Sequence, residues 1–97
     1  MFSINHIDHI VLTVNDIPTA IEFYARVLGM HAIQYTGTDK NTARIALKFG
    51  NQKINLHEAG KEFSPKAHKA TPGSADLCLI TETGLEQAIT YVKYLRY

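Results

Sequence analysis

The sequence is poor in cysteine, with Cys78 alone among 97 residues. A single cysteine excludes an internal disulfide and a CxxC zinc site. Because Cys78 lies in an apolar run, we expect it in the core of a protein from a reducing compartment.

Long apolar runs and an excess of charge of either sign are also absent. No uninterrupted apolar stretch approaches the ~20 residues of a membrane span, and the N-terminus lacks the pattern of a secretory signal. We therefore predict a cytoplasmic protein without a membrane partner. Ten Lys and Arg residues against nine Asp and Glu give a formal charge of +1. Because the basic residues are scattered, no nucleic-acid partner is expected.

The sequence also lacks a nucleotide-binding Gly-rich loop, since Gly50 and Gly73 are isolated turn residues. It has no serine nucleophile elbow either. A chain of this length builds one domain at most. With 45% hydrophobic and 20% charged residues, the composition is that of a globular protein rather than a disordered one.

The first half of the chain predicts a strand, a helix and three more strands. Residues 8–14 are apolar and β-branched, which favours a strand with His9, Val11 and Thr13 on one face. A helix follows, with Asp16 as N-cap, Pro18 in its first turn and Gly29 as its stop.

The three further strands are predicted at 31–35, 43–49 and 53–58, the last two as a hairpin around Gly50-Asn51. The turn between the first two is placed at 36–39. In the last strand, Asn55 and His57 face one way while Ile54 and Leu56 face the other. The first module is thus βαβββ, and we predict an α+β fold with a mixed, curled sheet.

A non-periodic connector at 59–75 separates this module, residues 1–58, from a second strand-helix start at 76–97. We predict a strand at 76–80 and a helix opened by a capping box that starts at Thr83. An offset of 67 residues relates His9 to Asp76 and Asp16 to Thr83, which suggests a repeat. If the repeat is real, three more strands are expected beyond Tyr97, so the second module is interpreted as incomplete.

Three segments carry a resemblance to a known family: IDHIVLTVNDIPTAIEFYARVLGM, QKINLHEAGKEF and PGSADLCLIT. They resemble the vicinal oxygen chelate superfamily, which includes glyoxalase I, extradiol dioxygenases, and fosfomycin and bleomycin resistance proteins. The resemblance implies two βαβββ modules that curl into a cup holding a divalent metal, to which a small oxygenated substrate binds.

The same resemblance implies positions for the metal ligands. His9 matches the ligand on the first strand, Asn55 takes the place of a carboxylate, and Asp76 takes the place of a second histidine. His57 lies two residues after Asn55 on the same side. The predicted metal ligands are therefore His9, His57 and Asp76, for Zn, Ni, Mn or Fe. No catalytic residue is assigned.

Each of these residues also has a purely structural interpretation. In that interpretation His9 is a hydrogen-bonded histidine near a strand start, and His57 is a surface histidine beside Glu58. Asp76 then either begins a strand or accepts backbone hydrogen bonds after the turn at Gly73.

Three functions follow as alternatives. The first is a metal-dependent lyase or isomerase of glyoxalase type, or a dioxygenase, inactive if the truncation removes its site. The second is a metal-free protein that binds a small molecule, as bleomycin resistance proteins do. The third is a structural remnant that is stable only as an oligomer. An uncovered sheet face and edge favour association, so we expect a homodimer in which two chains complete the cups.

Overall fold

The computed structural model describes residues 1–37 and 43–97. Its sheet has four strands in the order β1-β4-β3-β2, with β1 parallel to β4 and the other pairs antiparallel. The predicted βαβββ order is confirmed. The strands are β1 (Ile10–Val14), β2 (His31–Thr36), β3 (Ala43–Phe49) and β4 (Gln52–Glu58).

The predicted turns around β3 are accounted for in part. Gly50 and Asn51 form the two-residue turn between β3 and β4, with Gly50 at φ 55°. A positive φ at this point is open to glycine at little steric cost, which suits a tight hairpin. Of the turn predicted at 36–39, Thr38 and Asp39 lie outside the described residues.

The first helix begins and ends where the sequence predicts. Asp16 has an extended backbone, and its Oδ2 accepts the Thr19 N–H at 2.9 Å. Helix α1 (Ile17–Ile21) continues without a break as a π-helical segment, Glu22–Val27, in which Leu28 N–H donates to the Phe23 carbonyl at 3.1 Å. Gly29 follows at φ 77°, a left-handed conformation that stops the helix.

The core lies between this helix and one face of the sheet. Leu12 on β1 is buried, while Val11 beside it is 39% exposed, as the predicted alternation of strand faces requires. Leu47, Ile54 and Leu56 are almost completely buried, each at 2% exposure or less. Ala20 and Met30 complete the cluster from the helical side.

The strand predicted at 76–80 is not formed. These residues belong to no ladder, and Leu77, Leu79 and Ile80 are exposed. An apolar pattern makes a strand only where a neighbouring strand takes up its backbone hydrogen bonds, and the described residues provide none here. Cys78 is exposed for the same reason, which corrects its predicted place in the core.

The second predicted helix is present as α2 (Leu85–Tyr94). Its N-cap is Gly84 without a side-chain hydrogen bond, so the capping box predicted at Thr83 is wrong. The Thr83 N–H donates instead to the Thr81 hydroxyl at 3.2 Å, which makes a local turn before the helix. Within the described parts of the chain, no helix is long and apolar enough to cross a membrane.

Helix α2 contacts the first module mainly through aromatic side chains. The Tyr91 hydroxyl donates to the Arg26 carbonyl at 3.0 Å, and the Tyr97 ring lies 5.8 Å from that of Phe23. The helix ends with Arg96 at φ 67° and with a Tyr97 N–H to Val92 carbonyl bond of 3.1 Å. This is the geometry of a Schellman ending with arginine where glycine is usual.

The Asp16 cap yields a prediction about pH. Hydrogen bonds from the Thr19 hydroxyl and N–H hold the pKa of Asp16 below its usual value. A carboxyl whose pKa is lower in the folded chain stabilises the fold above its unfolded pKa, and this contribution is lost as the pH falls through the folded pKa. Asp16→Ala should therefore unfold at lower urea concentration at pH 7, with a gap to the native chain that narrows below pH ~4. Asp16→Asn, which keeps the acceptor, is the control and should stay close to the native chain at pH 7. An equal Asp16→Ala gap at pH 7 and pH 2.5 would contradict this explanation.

Candidate functional site

The sheet face opposite the core carries polar side chains, and we call it the polar face. The register pairs Asn55 with Val11 on β1 and with Ala46 on β3. His57 pairs with Thr13, and Arg44 lies two residues before Ala46 on the same side of β3. The polar face is therefore centred on β4, which has a neighbouring strand on each side.

Asn55 lies at the middle of the polar face because of its neighbours in sequence. Ile54 and Leu56 point into the core, so strand alternation directs Asn55 outward. The residue is nevertheless only 9% exposed, and its side-chain Oδ1 is buried without a hydrogen-bond partner among the described residues. A buried amide oxygen of this kind is uncommon in folded proteins.

His57 is the second buried polar side chain of this face. It is 2% exposed, and its Nδ1 has no hydrogen-bond partner among the described residues. Burial lowers the pKa of His57 below its usual value, and the nearby charge of Arg44 lowers it further. The imidazole is therefore neutral at pH 7. The interpretation of His57 as a surface histidine is wrong, because the connector folds back over this end of β4.

The residue that covers His57 is Phe63, from the connector after β4. Its ring centroid lies 4.1 Å from that of His57, with 40° between the planes. The Arg44 guanidinium carbon lies 3.9 Å from the Phe63 centroid, within the range of a cation–π contact. Phe63 thus contacts both an imidazole and a guanidinium. Gly37 makes room for Arg44, since a Cβ at Gly37 would collide with the guanidinium.

The other two predicted ligands lie elsewhere. His9 is exposed just before β1, and its Nδ1 is 2.8 Å from Asp8 Oδ2. Since Thr13 pairs with His57, His9 lies four residues, or ~13 Å, from the row of His57. Asp76 is exposed in the segment that forms no strand. Across residues 1–37 and 43–97, no three His, Cys, Asp or Glu side chains are grouped closely enough to hold a metal ion.

Comparison with known proteins decides the family. The family model described as the Glyoxalase/Bleomycin resistance protein/Dioxygenase superfamily matches residues 6–92. The chain belongs to this superfamily. The resemblance seen in the three sequence segments is thereby confirmed, and with it the α+β fold.

Two curated relatives of this superfamily chain are longer proteins. The chain is 51% identical over 89 residues to virulence protein STM3117 of Salmonella typhimurium, covering 92% of this chain and 58% of the relative. It is 45% identical over 86 residues to glyoxalase domain-containing protein RDO1 of Mycosarcoma maydis, covering 89% of this chain and 46% of that protein. The chain therefore spans about half the length of these relatives.

A solved structure of the superfamily has the same arrangement of elements. The integron cassette protein VCH_CASS1 of V. cholerae superposes with a TM-score of 0.87 at 52% identity, covering 99% of this chain and 71% of that protein. This likeness extends over both the βαβββ module and α2.

Superfamily members typically bind a metal, and the described residues can be tested for that role. A metal centre of this kind needs several imidazole and carboxylate ligands around one point. Here the central position on β4 is the amide of Asn55, and His9 and Asp76 are distant in register or on another segment. By themselves, the described residues do not assemble the expected centre.

Arg44 and Phe63 are the site residues that the sequence analysis missed. The position of Arg44 could have been predicted, because the β3-β4 hairpin and strand alternation place it beside His57. Phe63 had no comparable signal, since its place depends on how the connector turns after Glu58.

The unpaired Asn55 oxygen yields a stability prediction. Replacing a buried polar group that has no partner by an apolar side chain of similar size removes a penalty of about 1–3 kcal/mol. Asn55→Leu should therefore raise the free energy of unfolding by about that amount, as measured by urea denaturation. Gln34→Leu, on the exposed part of edge strand β2, is the control and should change it by no more than about 0.5 kcal/mol. A less stable Asn55→Leu chain would show that the amide is satisfied in solution.

Proposed function

We propose that the chain binds a small oxygenated molecule on the polar face without a resident metal. The observation that carries this proposal is the pair of buried, unpartnered atoms, Asn55 Oδ1 and His57 Nδ1, two residues apart on one strand. Structural polar groups at such depth are normally paired within the protein. Binding sites are the usual exception, because the ligand supplies the partner.

The chemistry of the two atoms limits what they can receive. The Asn55 oxygen accepts a hydrogen bond, so it requires an N–H or O–H donor on the ligand. The neutral His57 ring either accepts or donates at Nδ1, depending on its tautomer. A ligand hydroxyl serves both atoms at once, because it donates one hydrogen bond and accepts others.

The amide at position 55 supports metal-free binding over metal-dependent catalysis. An amide oxygen is uncharged, so it attracts a transition metal less than the carboxylate that the resemblance implies at this position. It is, however, a good partner for a neutral hydroxyl. The absence of charge also lowers the cost of leaving the side chain buried in the free protein.

The test is a titration of the isotope-labelled chain with single small phenols, enols and hydroxy acids, observed by NMR. We expect the Asn55 side-chain amide and the His57 ring signals to shift together, and His57→Ala and Asn55→Leu each to weaken binding about tenfold, the value of one good hydrogen bond. His6→Ala, at an exposed histidine, is the control. Shifts confined to other parts of the chain, or none with any of these compounds, would refute the proposal.

A metal-dependent lyase, isomerase or dioxygenase of glyoxalase type is the second candidate, and one observation favours it. The Asp8 carboxylate holds His9 Nδ1 at 2.8 Å and leaves Nε2 available. Carboxylates commonly orient metal-ligating histidines in this way. We propose that His9, His57 and Asp76 of two copies would then share the ligation in a homodimer, since one described chain does not gather them.

This candidate predicts near-stoichiometric metal and a dimeric mass together. Protein purified without chelator should retain Zn, Ni, Mn or Fe by elemental analysis, and light scattering should give twice the chain mass. Both His9→Ala and Asp8→Asn should reduce the metal content. Asp8→Asn should lower the affinity for the metal about 10–100-fold. A metal-free monomer after incubation with all four ions would eliminate this candidate and leave the metal-free one.

A further inference from the structure

The segment that covers the polar face is fixed at one end by a tight turn. The Lys61 N–H donates to the Glu58 carbonyl at 2.9 Å, and the Lys61 ammonium lies 3.0 Å from the Glu58 carboxylate. Gly60 has φ 84°, a conformation that side chains disfavour. The Gly60 N–H donates to Glu62 Oε2 at 2.8 Å. These contacts are local to residues 58–62, so the turn keeps its shape whether or not Phe63 stays in place.

Phe63 matches the polar face poorly in chemical terms. Its ring covers His57 at 4.1 Å, yet it has no donor or acceptor for the unpartnered His57 Nδ1, or for Asn55 Oδ1 two residues away on the same strand. A permanent cover would be expected to supply hydrogen bonds to the polar groups that it removes from water. Phe63 itself is only half-buried, so it does not anchor a core of its own.

We propose that Phe63 is a displaceable plug, and that the molecule replacing it in contact with His57 and Arg44 is a planar, acidic ring compound with a hydroxyl or N–H donor. This inference rests on the proposed binding function. It adds the class of ligand and the contact that must open before the ligand enters.

The planar shape follows from the two flat groups that contact Phe63. The His57 ring centroid lies 4.1 Å from that of Phe63, with 40° between the planes, and the Arg44 guanidinium carbon lies 3.9 Å from the Phe63 centroid. A flat aromatic ring in the place of Phe63 would keep both contacts, whereas a saturated ring has no π face for the guanidinium.

The acidic group follows from the one cation in contact with Phe63. The Arg44 guanidinium carbon lies 3.9 Å from the Phe63 ring centroid. A ligand that takes the place of this ring therefore lies against a positive charge, which favours an anionic ligand. The donor group follows from the need of Asn55 Oδ1 for a hydrogen bond.

The experiment compares 4-hydroxybenzoate binding to the native chain and to Phe63→Ala by NMR titration. If the plug is closed in about nine chains of ten, its removal lowers the apparent Kd about tenfold. Phe2→Ala, at an exposed phenylalanine, is the matched control and should leave the Kd unchanged. Benzoate, which lacks the donor, should bind more weakly than 4-hydroxybenzoate. Cyclohexanecarboxylate, which is not planar, should bind more weakly than benzoate.

A second measurement in the native chain does not depend on how Phe63→Ala folds. On saturation with 4-hydroxybenzoate, the Phe63 ring resonances should lose the shift caused by the His57 ring and move to values typical of solvent-exposed phenylalanine. Unmoved Phe63 resonances would overturn the plug.

The outcomes separate this inference from the function on which it rests. If 4-hydroxybenzoate shifts Asn55 and His57 while the Phe63→Ala Kd equals the native one, binding on the polar face stands and the plug fails. If cyclohexanecarboxylate binds as tightly as 4-hydroxybenzoate, the ligand class is wrong. If 4-hydroxybenzoate reaches neither Asn55 nor His57, even in Phe63→Ala, the ligand class fails. If none of the other phenols, enols and hydroxy acids shifts the signals of Asn55 or His57, the proposed function is wrong as well as the ligand class.

Discussion

The central position of β4 is the constraint on which the rest of the structure depends. It has β1 on one side and β3 on the other, and the four residues from 54 to 57 are all buried. Strand alternation gives Ile54 and Leu56 to the core under helix α1. The same alternation directs Asn55 and His57 to the opposite face. Core packing therefore fixes the geometry of the polar face.

Burial of those two residues changes their chemistry. In water, an amide oxygen and an imidazole nitrogen would exchange hydrogen bonds freely, whereas in this fold Asn55 Oδ1 and His57 Nδ1 have none within the described chain. Removal from water also keeps His57 uncharged by lowering its pKa. The result is a pair of uncharged, buried polar atoms on one strand, with the Arg44 guanidinium beside the Phe63 ring that covers His57.

The sequence predicts the first module well because its signals are local. Asp16, Pro18 and Gly29 mark the ends of the first helix, and the Gly50-Asn51 turn helps to place β3 and β4 to within one residue. The π-helical segment had no signal in the spacing of apolar residues. The predictions fail where the structure depends on segments that are distant in sequence. A strand at 76–80 needs a partner strand, and its apolar residues do not indicate whether one is present.

The candidate site likewise has features that local sequence patterns predict and features that they do not. Strand alternation correctly puts Asn55 and His57 on one face, but the depth of His57 depends on the connector, whose turn brings in Phe63. The prediction that His9, His57 and Asp76 bind one metal came from resemblance and is still untested. Register shows only that a single described chain keeps His9 and His57 apart. The residue types of the site can be read from the sequence, whereas the contacts between segments that are distant in sequence cannot be predicted from local patterns.

A crystal structure of the chain soaked with 4-hydroxybenzoate tests the central claim most directly. The account predicts a flat molecule in contact with both His57 and Arg44, its hydroxyl within hydrogen-bond distance of Asn55 Oδ1, and Phe63 turned out to solvent. A structure with Phe63 still stacked on His57, and with Asn55 and His57 paired instead to ordered water or to another protein segment, would contradict it.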